Sequence, residues 1–188
     1  LHDYATGAEH SPVVPAREQP GPKSVGNGLT FPRNLVGWAE LHAGVTELAD
    51  EVAVRLRGHG LKCTTLQVTI RDPNFKDICR QKRLSAPTYV ARELTETAME
   101  LIRAAWRENA PVRALTLTAQ ALVEEGEAGE QLDLFAAGAA PRRDKLEKLE
   151  KAMDGIRGKF GRDAIAPAST VHRDRAEVKA EQRLPPVD

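Results

Sequence analysis

The chain has 188 residues, 27 basic and 27 acidic side chains, a formal net charge of zero, and 41% hydrophobic but only 4% aromatic residues. That share supports a core, yet no apolar stretch approaches a membrane span and no secretory signal leads the chain. Zero net charge gives no bulk case for nucleic acid, although Arg80-Gln81-Lys82-Arg83 is locally basic and Glu124, Glu125, Glu127 and Glu130 are locally acidic.

The apolar residues concentrate between about Leu29 and Val123, which predicts one domain of roughly 100 residues with flexible flanks. The chain opens on Leu1 and reads as a cytosolic fragment of something longer. Cys63 and Cys79 form no CxxC or Cys/His cluster, so both are read as reduced thiols with no zinc site.

Residues 1–22 are proline-bearing and aperiodic, a linker. Ser24 to Phe31 alternates, placing Ser24, Gly26, Gly28 and Thr30 on one face and Val25, Leu29 and Phe31 on the other. Pro32 and Asn34 mark a boundary, with Asn34 a candidate helix cap. Leu41, Val45, Leu48, Val52 and Leu56 then form a helical stripe, extended by Trp38 and ended by Gly58 and Gly60. Leu61 to Ile70 is the clearest strand, with Thr64, Leu66, Val68 and Ile70 against Cys63, Thr65, Gln67 and Thr69. Asp72-Pro73-Asn74 makes a turn, which sets Cys63 opposite a residue near Leu84.

The return strand runs from about Phe75 to Leu84. Its parity conflicts, because Ile78 and Leu84 share a side with Arg80 and Lys82; a bulge or a twist out of the sheet resolves this. After Pro87-Thr88 a second helix carries Leu94, Ala98, Leu101, Ile102 and Ala105, and a last strand runs from Val112 to about Ala121. The expected fold is α+β: a four-stranded antiparallel sheet with two helices on one face. The expected organisation is a linker over 1–22, a domain over 23–122, a linker over 123–140, a helix over 141–161 and a disordered tail over 162–188. In that helix Leu146, Leu149, Met153 and Ile156 repeat at spacings of three and four.

The uncovered sheet face then presents Ser24, Gly26, Thr30, Thr65, Gln67, Thr69, Thr116 and Thr118. Beside Arg80, Lys82 and Arg83 it suits a phosphate backbone, with cations for attraction and hydroxyls for positioning. An ordinary solvated face accounts for the same residues equally well, since threonine is a good strand former. No aromatic sits there to stack a base. Gln131-Leu132-Asp133-Leu134-Phe135 is a short apolar run in a polar linker. Either a partner supplies its pocket or it folds back on the domain. No strand-borne pair of carboxylates is present to hold two magnesium ions, and Asp72 and Asp77 read as turn and surface residues. No phosphate loop, Ser/His/Asp set or HExxH helix occurs.

Several segments resemble the little finger domain of Y-family DNA polymerases of the polymerase IV type. They are Lys23-Ser24-Val25-Gly26, Thr30-Phe31-Pro32-Arg33, the run Lys62 to Asp72 with Phe75, Ile78 and Arg80, and Pro111 to Leu115. Gln131 to Phe135 is similar to the family's clamp-binding pentapeptide, and Ile156 to Gly161 to its C-terminal segment. The resemblance implies translesion synthesis in DNA repair by the parent protein, with magnesium in the absent palm and residues 1–22 leading from an absent thumb. It implies primer-template DNA and the bacterial sliding clamp (beta subunit) as partners, no membrane, a cytoplasmic location, and no catalysis or cofactor in this portion. The DNA contacts implied are Lys23 and the face and basic residues named above; the clamp contacts are Gln131, Leu132, Asp133, Leu134 and Phe135. Gly28 departs from the larger, often acidic residue of many members, and Cys79-Arg80-Gln81 from the more usual Thr-Arg-Ser. The rival expectation is a clamp-binding adaptor without a DNA grip.

Overall fold

The computed structural model describes residues 2–8, 10, 12, 15, 21–126, 140–161 and 164–166. A five-residue helix, α1 (His2–Thr6), lies within the expected linker and buries nothing. The domain then runs β1 (Ser24–Leu35), α2 (Trp38–Gly58), β2 (Leu61–Arg71), β3 (Asp77–Thr88), α3 (Ala91–Ala105) and β4 (Val112–Glu124), followed by α4 (Ala140–Phe160). The four strands form one antiparallel sheet in the order β1-β4-β2-β3. This is the expected α+β architecture.

Helices α2 and α3 cover one face of the sheet. The α2 stripe Leu41, Val45, Leu48, Val52 and Leu56 is buried, as are Leu94, Ala98 and Ile102 of α3. They meet Val25, Phe31, Leu66, Val68, Ile70, Leu115 and Leu117 from the strands. Each such large side chain contributes about 1.5–3 kcal/mol by leaving water. At Gly44, a Cβ would lie 3.0 Å from the Phe31 ring and 3.2 Å from Leu35 Cδ1. The missing side chain is what lets α2 settle on β1.

Several boundaries differ from expectation. β1 continues through Pro32 and Asn34 to Leu35, which is buried and pairs with Val112 after a register shift. Asn34 is therefore not the cap. Gly37 takes that position at φ 84, and Glu40 in the first helical turn accepts from Val36 N–H at 2.9 Å. Phe75 does not start β3. It sits in the hairpin turn at φ 62, where the Asp72 carboxylate accepts from the Asn74 and Lys76 N–H groups. Cys63 leaves the outward parity because the ladder skips Thr64 opposite Ala121 (φ 49), and beyond that point Cys63 is buried. It pairs with Thr88 rather than with a residue near Leu84, and both cysteines are free.

α4 docks on the helical side of the domain through its charged face. Arg57 of α2 donates to Asp154 at 2.6 and 2.9 Å, to Glu150 at 2.6 Å and to Tyr89 O at 3.2 Å. Glu150 also accepts from Ala91 N–H at the start of α3 (3.0 Å). Lys62 and the Tyr89 hydroxyl bond Glu147, and Arg157 bonds Asp50. The Tyr89 ring lies under three cations, Lys62 at 5.0 Å, Arg57 at 5.8 Å and Lys151 at 5.9 Å from its centroid. Burial pushes the Glu150 carboxyl up, against the pull of Arg57 and Ala91 N–H. Of the expected apolar repeat only Leu146 packs on the core.

Candidate nucleic-acid interface

The open face is an array of four rows crossing four strands. Register alone builds it: Ser24, Gln120, Thr65 and Arg83 form one row, and Gly26, Thr118, Gln67 and Gln81 the next. Gly28, Thr116, Thr69 and Cys79 form the third, and Thr30, Ala114, Arg71 and Asp77 the fourth. Every residue of the central strands in this array is short or an amide, apart from Arg71. Thr118 and Thr116 lean toward β1, so that a Cβ at Gly26 would lie 3.0 Å from the Thr118 hydroxyl and one at Gly28 2.7 Å from that of Thr116. The two glycines keep the β1 side of the face flat. Gln120 donates to Gln67 at 2.9 Å, tying β4 to β2 across the surface.

Charge on the face is one-sided. Asp77 is the only acid in the array, and Arg71 holds it bidentately at 2.7 Å on both oxygens. The hydrogen bond from Arg71 keeps the Asp77 carboxyl below the usual aspartate range. Arg83 and Lys23 are exposed, and neither makes an ion pair among the described residues. A polyanion crossing these rows meets free cations at one end and a neutralised pair at the other.

The sequence reading placed Arg80, Lys82 and Arg83 together, and the structure divides them. Arg83 opposes Thr65 on the open face. Arg80 opposes Val68 and Lys82 opposes Leu66, so both stand on the helical side of the edge strand. Lys82 is held there by Glu100 of α3 at 2.7 and 2.8 Å, while the Arg80 guanidinium, exposed, donates to Cys79 O. The β3 register shift comes after Arg83 and does not separate Ile78 from Arg80 and Lys82. The parity conflict dissolves differently: β3 is an edge strand, so its helix-side positions escape past α3 into solvent. Sequence reasoning missed Gln81, Gln120 and Arg71 on the open face, although counting in twos along β2, β3 and β4 would have found them. Lys23, Ser24, Gly26, Thr30, Thr65, Gln67, Thr69, Thr116 and Thr118 all lie on or beside it.

Magnesium does not fit these residues. Asp72 is occupied by the N–H groups of its own turn and Asp77 by Arg71, and no group of three His, Cys, Asp or Glu is placed to hold a metal among the described residues. No helix of the described residues is long and apolar enough to cross a membrane. Gln131, Leu132, Asp133, Leu134 and Phe135 lie outside the described residues.

A four-stranded antiparallel sheet in this order, helices on one side and a flat polar face on the other, defines a little-finger-type domain. The family model described as "impB/mucB/samB family C-terminal domain" matches residues 22–134, and the chain belongs to this family. It is 34% identical over 161 residues to DNA polymerase IV of Acetivibrio thermocellus, covering 86% of this chain and 40% of that protein. It is 36% identical over 143 residues to DNA polymerase IV of Oceanobacillus iheyensis, covering 76% and 33%. The chain thus spans well under half the length of these relatives. A solved Y-family DNA polymerase chimera shares the fold, with a TM-score of 0.51 at 15% identity over 65% of this chain and 34% of that one.

Proposed function

We propose that this chain is the non-catalytic DNA-gripping and sliding-clamp-recruiting portion of a Y-family DNA polymerase that acts in translesion synthesis in the cytoplasm. The observation that carries the DNA reading is the open face. Its hydroxyl and amide rows are flat, its one acid is neutralised, and its cations without an ion pair among the described residues are Arg83 and Lys23. Such a surface attracts phosphate and holds a backbone without reading base edges. The carboxylates needed for nucleotidyl transfer, and the magnesium they hold, belong to the part of the parent protein outside this chain. Clamp recruitment is assigned to residues 131–135 on the sequence of the pentapeptide.

Binding of the full chain to a fluorescent primer-template duplex, measured against salt, tests the reading. Arg83→Ala and Lys23→Ala each flatten the slope of log K against log salt by nearly one unit, at about 0.9 per phosphate contact. Lys82→Ala has a smaller effect, because Glu100 already holds that ammonium. Unchanged slopes for Arg83 and Lys23 would place the DNA elsewhere. Clamp binding without any duplex binding would leave the adaptor reading.

A further inference from the structure

α4 is mounted in an unusual sense. Its acids Glu147, Glu150 and Asp154 turn inward and are engaged by Lys62 and Arg57. Apart from Leu146, its larger apolar residues turn outward: Leu149 is 55% exposed, Ile156 39% and Phe160 68%, with half-buried Met153 between them. Positions 149, 153, 156 and 160 repeat at spacings of four, three and four, which is one continuous seam on a helix. Exposed Lys145, Lys148 and Lys159 border it, Lys159 lying over the Phe160 ring at 5.2 Å. The ion pairs therefore hold out toward solvent an apolar seam flanked along one side by lysines. Water solvates such a face poorly, and a chain that needed only a docked helix would bury the seam instead.

A second copy of this chain is a poor occupant. Three partly exposed side chains offer only a few hundred Å² per copy, short of the roughly 600 Å² per partner that the smallest stable interfaces bury. Pairing two such seams would also bring their lysines together. The favoured occupant is acidic, with an apolar groove, and close to residues 131–135. Phe135 is five residues from Ala140, so whatever holds Phe135 lies within about 18 Å of the start of α4. Leu149 is only a further ~13.5 Å along the helix.

We propose that the outward face of α4 is a second contact with the sliding clamp, seated on an acidic, apolar-grooved surface beside the pocket that takes the pentapeptide. This rests on the clamp-recruitment reading. Two weak contacts on one partner act as one stronger contact, and the rigid mounting of α4 removes the cost of ordering the second.

Calorimetry of the full chain against the purified cognate clamp tests it. Replacing Leu149, Ile156 and Phe160 together by serine weakens binding about tenfold or more and leaves the thermal midpoint unchanged, since these side chains face away from the domain. Reversing Lys145, Lys148 and Lys159 to glutamate, a variant that leaves the seam intact, also weakens binding, and that share of the affinity fades with added salt. Both α4 variants binding within about twofold of the parent, while Leu134→Ala with Phe135→Ala loses the clamp, would overturn the contact. So would a concentration-dependent dimer, seen by sedimentation and abolished by the serine variant with clamp affinity intact. A pentapeptide variant that binds like the parent sinks the recruitment reading itself, whereas loss of affinity in the α4 variants alone still supports the contact.

Discussion

Arg57→Met removes the cation on which α4 is hung. The Arg57 side chain is 5% exposed and Glu150 9%, so the variant leaves a buried carboxylate beside Asp154 without the Arg57 counter-charge. Breaking a buried pair from one side costs about 3–5 kcal/mol when the remaining charge has no escape. Here it has one: α4 lifts off and Glu150 rehydrates. The cost is therefore capped by the free energy of docking, and the visible result is release of the helix rather than unfolding of the sheet. A loss of about 3 kcal/mol raises the undocked population by on the order of 100-fold. Hydrogen exchange should show the α4 amides speeding by that factor while those of β2 and β4 hold. Lys151→Met, which breaks a half-exposed pair with Glu125, should cost under about 1 kcal/mol. Equal effects from the two variants, or an α4 that exchanges as in the parent, would refute a docking carried by Arg57.

Gly44→Ala gains about 1 kcal/mol of helix propensity but drives a methyl to 3.0 Å from the Phe31 ring, and overpacking of about 1–3 kcal/mol should win; a raised thermal midpoint would show that α2 and β1 are not so close. At neutral pH a maleimide should label Cys79 quickly and Cys63 only on unfolding, because burial pushes the Cys63 thiol up to about 12 and leaves almost no thiolate. Two labels per folded chain would contradict that burial. The Asp77 carboxyl, held down by Arg71, should titrate below a free aspartate by NMR and return in Arg71→Ala. Its folded value is depressed, so the stability it gives is present above the ordinary aspartate range and is lost as pH falls through the folded pKa.

The sheet was legible because its strands alternate and its helices carry clean stripes: Leu66, Val68 and Ile70, or Leu41 through Leu56, have one plausible burial each. What was not legible depends on partners far away in sequence. Asn34 looks like a cap until Leu35 is seen to pair with Val112. Cys63 looks outward until the ladder skips Thr64. Arg80 and Lys82 look like part of one basic face until strand order shows β3 at the edge, where positions on the helical side reach solvent. The docking of α4 was hidden most deeply. Its apolar repeat invites burial of Leu149 and Ile156, and nothing local in the sequence says that Arg57, 93 positions before Glu150, will bury the charged side instead.

The placement of ion pairs explains how a chain of zero formal charge offers locally basic surfaces. Acids and bases balance in number, and each ion pair uses one of each, so the local field is set by where the pairs and the remaining charges stand. Glu147, Glu150 and Asp154 are turned against Lys62 and Arg57, Asp50 holds Arg157, Asp77 holds Arg71, and Glu40 holds Arg33. Of these pairs only Asp77–Arg71 lies on the open face, where it neutralises the one acid of the array. Among the described residues, Arg83 and Lys23 are left without acidic partners on one side of the domain, and Lys145 and Lys148 on the other. A polyanion responds to the local field within a Debye length of about 8–10 Å, not to the sum over the chain. The distribution of pairs, set by register and by the docking of α4, thus decides where this neutral protein is locally basic.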